Sequence, residues 1–274
     1  MKDPECVAFL QWAIPRLRMR WRGFRKVRRQ VCKRVERRLR ELGVGGTEAY
    51  RAYLAAHPDE WRVLDSLCRI PISSFYRDKG VFDYLGEHVL PSLAQMAVAR
   101  PRRELRFWSA GCASGEEPYT LGILWKLGWA SRFPALSVRV IATDLDPHLL
   151  GRARQACYRP SSLRDVPPDW IPTVFERSGD QYCIRESFRQ GVDFLRQDIR
   201  YEYPEGPFHL LLCRNLAFTY FDETLQRDVL ERTLGRLVPG GAFVIGRQET
   251  LPGVETGLSV WCSPLGVYRK LGAS

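Results

Sequence analysis

The spacing of apolar residues changes once along the chain, at about residue 104. Before that point apolar residues recur at steps of three or four, the spacing of helices that bury one face. After it, short apolar runs alternate with helical segments. The runs are LRFWSA (105–110), VRVIAT (138–143), FHLLLCR (208–214) and AFVIGR (242–247). This alternation predicts an α/β domain with a mostly parallel β-sheet covered by helices, ending in two short strands.

The first part of the chain is predicted to form a small helical domain. One amphipathic helix is expected over residues 16–42, stopped by Gly43. Its apolar stripe comprises Leu17, Trp21, Phe24, Val27, Val31, Val35, Leu39 and Leu42. We expect a basic helical N-terminal domain over 1–72, a linker and helix over 73–103, and the α/β domain over 104–274.

One stretch of the α/β domain breaks the alternation. Residues 158–190 contain four prolines and then FERSGDQYCIRESF, in which two short extended runs flank Ser178-Gly179-Asp180. Such a sequence is typical of a β-hairpin. It predicts a small β-subdomain inserted at about 158–190, and the alternative is an irregular surface excursion.

Composition excludes several classes of protein. With 274 residues, 45% hydrophobic and 27% charged, the chain is ordinary for a globular protein. No apolar run reaches the roughly 18 residues of a membrane-spanning helix, and the N-terminus has the wrong charge order for a secretory signal. We therefore expect a cytoplasmic protein that does not insert into membranes. None of the eight cysteines forms a C-x-x-C pair, so we expect free thiols and no metal site.

Positive charge is concentrated in one segment. The chain has a net charge of +11, and residues 16–40 hold thirteen bases against one acid, so the remainder is near neutral. Three interpretations stay open: a solvated face of a packed helix, a surface for an acidic protein partner, or a surface for nucleic acid or anionic membrane. The bases alternate with core positions rather than with exposed aromatics, which makes nucleic acid the less favoured partner.

A candidate ligand site begins where the first predicted strand ends. Gly111 and Gly115 bracket a turn of small residues that lets a ligand approach the backbone closely. The turn is neither G-x-G-x-x-G nor a P-loop, and Glu116 and Glu117 at the following helix start would repel a pyrophosphate. Asp144 ends the second strand, where a carboxylate is suited to ribose hydroxyls. S-adenosylmethionine, which has a ribose, positive charge and no phosphate, fits this pattern. The alternatives are another nucleoside, or an acidic helix cap beside an unrelated aspartate.

Several segments resemble one known family, in that family's order. They are SSFYRD (73–78), WSAGCASGEEPYTL (108–121), ATDLDPHLL (142–150), GPFHLLLCRNLAFTYFDETLQ (206–226) and LVPGGAFVIGRQETL (237–251). The basic VCKRVERRLRELGV (31–44) is similar to a helix of the family's N-terminal domain. These segments look like the chemotaxis-receptor methyltransferases of the CheR type. The resemblance implies a Rossmann-like class I methyltransferase domain with a small helical N-terminal domain and an inserted β-subdomain. It also implies methyl transfer from S-adenosylmethionine to glutamate side chains.

The resemblance assigns roles to individual residues. The cofactor contacts it implies are Ser73, Arg77, Gly111, Gly115, Glu117, Asp144, Asp198, Ile199, Arg214 and Asn215. Asp198 and Ile199 take the place of an Asn–Leu pair near the adenine, and Arg214 and Asn215 would line the methyl-transfer pocket. Arg77 and Tyr220 are the implied catalytic residues. The LAFTYFD segment has one residue more than the family pattern, which leaves the position of Tyr220 and the identity of the acceptor open.

A glutamate acceptor sets modest chemical demands. Its carboxylate is ionised at neutral pH and can attack the methyl group without a general base, so positioning matters most. The guanidinium of Arg77 is suited to orient that carboxylate. We expect an acidic protein substrate such as a receptor helix bundle. The alternatives are a methyltransferase of the same fold acting on RNA or a small molecule, and a non-catalytic protein that binds the cofactor.

Overall fold

The computed structural model describes residues 3–99, 103–253 and 257–272. The chain divides into two compact units. One contains the residues up to 71 together with 219–226, and the other contains 72–218 and the residues from 227 onward. No helix in these described ranges combines the length and apolar character needed to cross a membrane.

The first unit is helical, but its basic segment is not one helix. The helices are α1 (Asp3–Ala13), α2 (Trp21–Phe24), α3 (Arg28–Leu42), α4 (Thr47–Ala56) and α5 (Glu60–Cys68). The prediction of a single helix over 16–42 is wrong, because Arg18 adopts a left-handed conformation with φ 56°. Met19 forms an isolated β-bridge with Phe221, and the Arg20 amide donates to the Tyr220 carbonyl at 2.8 Å. These partners lie 200 residues away in sequence, so no local pattern signals the break.

Six of the seven bases of α3 fall into two groups, and the seventh, Arg28, pairs with Asp3 at 3.4 Å. Arg34 and Arg38 have structural partners: Arg34 donates to the carbonyl of Arg69, and Arg38 donates to both carboxylate oxygens of Glu60 at 2.9 and 2.8 Å. The exposed bases are Arg29, Lys33, Arg37 and Arg40. Their steps of four, four and three residues place them on one face of the helix. We call these four residues the basic stripe.

Glu60 is a buried carboxylate of this unit that accepts several hydrogen bonds. It is 5% exposed, and besides Arg38 it accepts a hydrogen bond from the Tyr50 hydroxyl at 2.7 Å. The hydrogen bond from Arg38 lowers the pKa of Glu60 and outweighs the opposing effect of desolvation. The ionised form is therefore the one that stabilises the fold.

Replacing Glu60 by glutamine should lower the free energy of unfolding by about 2 kcal/mol at pH 7, because the half-buried Arg38 loses its buried carboxylate partner. A group whose pKa is depressed on folding stabilises above its unfolded pKa, about 4.3 for glutamate, and loses that contribution as pH falls through the folded value. The difference between wild type and Glu60→Gln should therefore shrink below about pH 4. Urea unfolding of both proteins at several pH values measures this difference. Glu48→Gln, at an exposed position of α4, is the control. A difference independent of pH would contradict this assignment.

The second unit contains the remaining helices. They are α6 (Lys79–Tyr84), α7 (Leu90–Val98), α8 (Glu116–Gly128), α9 (Pro147–Gln155), α10 (Trp170–Val174), α11 (Glu186–Arg189), α12 (Ala217–Tyr220) and α13 (Glu223–Gly235). The last two also contribute residues to the first unit. A π-helical turn, Leu85–Val89, joins α6 to α7.

A seven-stranded sheet forms the core of this unit. The strands of the unit are β1 (Glu104–Ala110), β2 (Ser137–Asp144), β3 (Cys157–Tyr158), β4 (Phe175–Ser178), β5 (Gln181–Ile184), β6 (Val192–Arg196), β7 (Phe208–Cys213), β8 (Leu237–Ile245), β9 (Leu258–Cys262) and β10 (Val267–Lys270). The large sheet has the order β6-β2-β1-β7-β8-β10-β9. Pairing is parallel from β6 to β8, and β10 runs antiparallel to both of its neighbours. The predicted α/β, Rossmann-like class is therefore confirmed.

The sequence pattern missed one strand of this sheet. β6 pairs in parallel with β2 at the sheet edge, and its side chains are only half-buried or exposed. An edge strand does not need a continuous apolar run, so VDFLR carries little signal. The smaller sheet has the order β3-β5-β4, and the predicted hairpin is present between Ser178 and Gln181.

The expectation that every cysteine is a free thiol is wrong for four of them. Cys6 is bonded to Cys32 and Cys157 to Cys183, and the partners are 26 positions apart in each case. Cys157 and Cys183 lie opposite each other in the β3–β5 register. Pairing depends on which cysteines the fold brings together, and the spacing carried no motif for it.

Candidate cofactor site

The predicted cofactor residues gather at one edge of the large sheet. β6, β2, β1 and β7 are adjacent and parallel, so their carboxyl ends lie together. The segments that follow these ends carry Asp198, Asp144, the turn from Gly111 to Gly115, and Arg214. Ligands of open α/β sheets bind beyond this edge.

The turn after β1 folds tightly against the end of β2. The amides of Gly111 and Cys112 both donate to the carbonyl of Thr143, at 2.8 and 3.0 Å. Gly111 and Gly115 have φ values of 75° and 92°, in the region that favours glycine. A Cβ on Gly115 would lie 2.9 Å from the Cβ of Ala153. The backbone conformation and the close packing therefore both require glycine here.

Asp144 is fixed by the same turn. One of its carboxylate oxygens accepts a hydrogen bond from the Ala113 amide, and the other accepts one from the Asp146 amide, each at 2.9 Å. A carboxylate has about four acceptor positions, and ribose hydroxyls are donors suited to them. Asp144 thus has the geometry expected of a residue that binds a ribose.

Glu117 lies in the first turn of α8 and is held from two sides. Its Oε1 accepts a hydrogen bond from the Ser109 hydroxyl at 2.8 Å, and its Oε2 accepts one from Arg214 Nη1 at 3.0 Å. Arg214 Nη2 also donates to Asp78 Oδ2 at 2.6 Å and to the carbonyl of Arg77 at 3.1 Å. The Arg214 side chain is only 2% exposed.

The charge around the turn is negative. Burial raises the pKa of the Cys112 thiol well above its ordinary value, and the charges of Asp144, Glu117 and Glu116 raise it further. Three carboxylates thus act together on the residue at the centre of the turn. Such a field favours a cationic ligand over a phosphate.

Asp198 has a partner that the sequence analysis did not identify. Its carboxylate forms a two-pronged ion pair with Arg200, with Nε 3.0 Å from Oδ1 and Nη2 2.7 Å from Oδ2. The pair neutralises the acid that stands in place of the family's asparagine. Ile199, the next residue along the chain, is 7% exposed. The Gln197 amide donates to the Asp144 carbonyl at 3.1 Å, which ties this segment to the end of β2.

The contacts of Ser73, Arg77 and Asn215 say less about the cofactor site. Ser73 and Arg77 are half-buried, and Arg77 Nη1 donates to the carbonyl of Ile72. Asn215 has a left-handed backbone with φ 55°, and its amide donates to Glu249 Oε2 at 2.9 Å. That oxygen also accepts from the Gly246 amide at 2.6 Å, so Glu249 holds the loop after β7 to the end of β8.

Three supporting residues were missed: Ser109, Asp78 and Glu249. Each acts through a contact distant in sequence except Ser109, which lies eight residues before its partner. All three fall inside the family-like segments, so the resemblance was the available signal for them.

Tyr220 belongs to the helical unit. Its ring lies 5.1 Å from that of Phe24, and its carbonyl accepts the hydrogen bond from Arg20. Its catalytic role stays a prediction.

These residues fit S-adenosylmethionine. The turn at Gly111 and Gly115 leaves no room for side chains, and the carboxylates of Glu117 and Asp144 lie beside it, where a cation and a ribose would be suited. Together with the parallel sheet, they define a Rossmann-like class I methyltransferase that depends on S-adenosylmethionine.

Comparison with known proteins names the family. Residues 72–265 match the family model described as CheR methyltransferase, SAM binding domain. The chain is 33% identical over 186 residues to the chemotaxis protein methyltransferase of Listeria monocytogenes serovar 1/2a, covering 68% of each protein. It is 31% identical over 231 residues to that of Salmonella typhimurium, covering 81% of this chain and 76% of that protein.

A third relative is much longer. The "Uncharacterized 104.1 kDa protein in hypE 3'region" of Rhodobacter capsulatus is 34% identical over 244 residues, which is 88% of this chain and 25% of that protein. The chain therefore spans a quarter of this relative's length. On the family model and the two shorter relatives, the chain belongs to the CheR methyltransferase family, and it is an S-adenosylmethionine-dependent methyltransferase.

Proposed function

We propose that the protein methylates glutamate side chains of an acidic, chemoreceptor-like protein in the cytoplasm, forming γ-methyl esters. The observation that carries the proposal is the turn between Gly111 and Gly115 with Glu117 and Asp144 beside it, in a chain whose relatives are named chemotaxis protein methyltransferases. The boundaries that fit this function are a helical domain over 1–72, a linker over 73–103 and a methyltransferase domain over 104–274 with an insertion at about 158–190.

Each site residue has a role in this proposal. S-adenosylmethionine, when bound, supplies an electrophilic methyl group on its sulfonium. Gly111 and Gly115 leave space for its methionine part, and Glu117 accepts hydrogen bonds from its ammonium group. Asp144 binds the ribose, and Asp198 and Ile199 flank the adenine. The remaining predicted contacts are Ser73, Arg77, Arg214 and Asn215.

The methyl acceptor requires orientation rather than proton transfer. A glutamate carboxylate is already ionised at neutral pH, so no base has to activate it. Arg77 orients that carboxylate through the planar donors of its guanidinium, without holding it so tightly that it loses nucleophilicity. Tyr220 contributes a hydroxyl that can donate a hydrogen bond to the acceptor. Both roles are part of the proposal.

The basic stripe supports an acidic protein partner. Arg29, Lys33, Arg37 and Arg40 are exposed along one face of α3, while Val31, Val35 and Leu39 are buried on another. An acidic helix bundle is complementary to such a line of positive charge, and attraction of this kind raises the rate of encounter. Nucleic acid is the alternative partner for the same charges.

The test is transfer of label from methyl-labelled S-adenosylmethionine to the purified signalling domain of a chemoreceptor from the source cell. We expect label on protein that mild alkali releases as methanol, because methyl esters hydrolyse readily. A variant with all four stripe residues changed to glutamine should transfer label at least tenfold more slowly at low ionic strength, since one charge pair near a protein surface contributes about 1 kcal/mol or less. Its affinity for S-adenosylhomocysteine should stay unchanged.

Two outcomes contradict the proposal. Alkali-stable label in RNA or in a small molecule, from a lysate incubated with the enzyme, indicates a methyltransferase of the same fold with another acceptor. Cofactor binding without label in protein, RNA or small-molecule fractions indicates a non-catalytic binding protein.

A further inference from the structure

Both terminal nitrogens of Arg214 donate to protein groups, whereas its buried Nε has no hydrogen-bond partner among the residues that the structure describes. Its Nη1 donates to Glu117, and its Nη2 donates to the carboxylate of Asp78 and the carbonyl of Arg77. The guanidinium also lies over the ring of Phe82, 5.2 Å from its centroid. With 2% of the side chain exposed, the guanidinium joins two carboxylates from separate segments inside the site.

Asp78 lies at the end of a segment with an unusual backbone. Tyr76 and Asp78 have φ values of 58° and 62°, which are unfavourable for residues other than glycine. The segment is held at several points: the Phe75 amide donates to the Ser162 carbonyl at 2.9 Å, and the Tyr76 hydroxyl donates to Asp83 at 3.0 Å. The ion pair with Arg214, together with the hydrogen bond from Arg214 to the Arg77 carbonyl, connects this segment to Glu117.

We propose that Asp78 is a positioning residue for the cofactor site. It acts through Arg214, setting both the orientation and the effective charge of Glu117 toward the ammonium group of the methionine moiety. The proposal rests on the cofactor site of the proposed function and is independent of the methyl acceptor.

The direction of the effect follows from the charges. Arg214 is shared between two carboxylates, so Asp78, Arg214 and Glu117 together carry one net negative charge. If Asp78 is made neutral, Arg214 neutralises Glu117 alone and the cluster attracts an ammonium group less. Because Arg214 is buried and Glu117 is mostly buried, solvent and salt screen the attraction between these two groups less than that of an exposed pair. The adenosine part of the ligand is bound through Asp144 and does not depend on this cluster.

The test compares two ligands by calorimetry. S-adenosylhomocysteine has the amino-acid group, and 5′-methylthioadenosine lacks it. We expect Asp78→Asn to weaken binding of S-adenosylhomocysteine about tenfold, the scale of one charge-assisted hydrogen bond, and to change binding of methylthioadenosine less than twofold. Asp78→Glu keeps the charge and should restore most of the affinity for S-adenosylhomocysteine.

Two further variants control for folding. Asp83→Asn removes a carboxylate that holds the same segment through Tyr76 and does not touch Arg214, so the ratio of the two affinities should stay at the wild-type value. Arg214→Lys replaces a guanidinium that contacts two carboxylates by an ammonium group that cannot bind both in the same way. This variant should also weaken binding of S-adenosylhomocysteine selectively, even if Asp78→Asn folds poorly.

Equal weakening of both ligands by Asp78→Asn and Arg214→Lys would overturn the proposal, because a purely structural role affects both parts of the site. If both variants keep the wild-type ratio of the affinities for S-adenosylhomocysteine and methylthioadenosine, the proposal is overturned as well. Failure of the wild-type protein to bind either compound would instead contradict the cofactor site itself, and absence of methyl transfer with selective binding intact would contradict only the proposed acceptor.

Discussion

Replacing Glu117 by glutamine is expected to weaken binding of S-adenosylhomocysteine about 100-fold. Its two carboxylate oxygens accept hydrogen bonds from the Ser109 hydroxyl and from Arg214 Nη1. Glutamine keeps the shape but removes the charge that attracts the ligand's ammonium group, and its amide NH₂ must face either the hydroxyl or the guanidinium. Loss of one buried charged hydrogen bond costs about 1.5–3 kcal/mol, and the upper value corresponds to this factor.

Isothermal titration calorimetry measures the effect, and Glu176→Gln is the matched control. Glu176 is an exposed acid of the β4 edge strand whose ion pair with Arg185 spans 3.7 Å, so its replacement should leave cofactor affinity unchanged. An affinity of Glu117→Gln within threefold of wild type would show that the carboxylate does not bind the ligand.

Replacing Gly115 by alanine should lower the free energy of unfolding by about 3 kcal/mol. Two costs add: a left-handed backbone is unfavourable for alanine by about 1–2 kcal/mol, and overpacking costs a similar amount. The new methyl group would approach the Cβ of Ala153 to 2.9 Å, and the Phe194 ring and the Tyr158 hydroxyl to 3.2 Å each. None of these neighbours is the free end of a flexible side chain.

Gly151→Ala provides the comparison in urea unfolding experiments. Gly151 lies within α9, and a Cβ there meets nothing within 4 Å, so alanine should raise the free energy of unfolding by about 0.5–1 kcal/mol through its higher helix propensity. Similar stability changes for the two variants would mean that the turn tolerates a side chain at Gly115.

Local pattern predicted the parts of the fold that local forces decide. The strand ending at Ala110 and the helix starting at Glu116 are present with nearly the expected limits, because a buried parallel strand needs an apolar run and a helix start favours acids. The glycine turn between them follows from the same residues. The edge strand β6 was missed because its half-exposed side chains put little constraint on the sequence.

The sequence indicated candidate residues for the site, but not the contacts among them. Gly111, Gly115, Glu117 and Asp144 are marked by their positions after strands, and topology alone brings such positions together. The contact of Arg214 with Glu117 joins residues 97 apart, and its contact with Asp78 joins residues 136 apart. The ion pair of Asp198 with Arg200 is local, yet choosing it over a free acid requires knowing how buried the pair is.

The sequence by itself determined the periodicities, and with them the α/β sheet, the glycine turn and the preference for a cationic nucleoside, because backbone geometry and charge act over a few residues. The tertiary structure alone decided which cysteines are bonded, where the basic segment breaks at Arg18, and which carboxylates share Arg214. Each of these depends on groups brought within a few ångströms by the packing of distant segments, and short-range patterns carry no record of such distances.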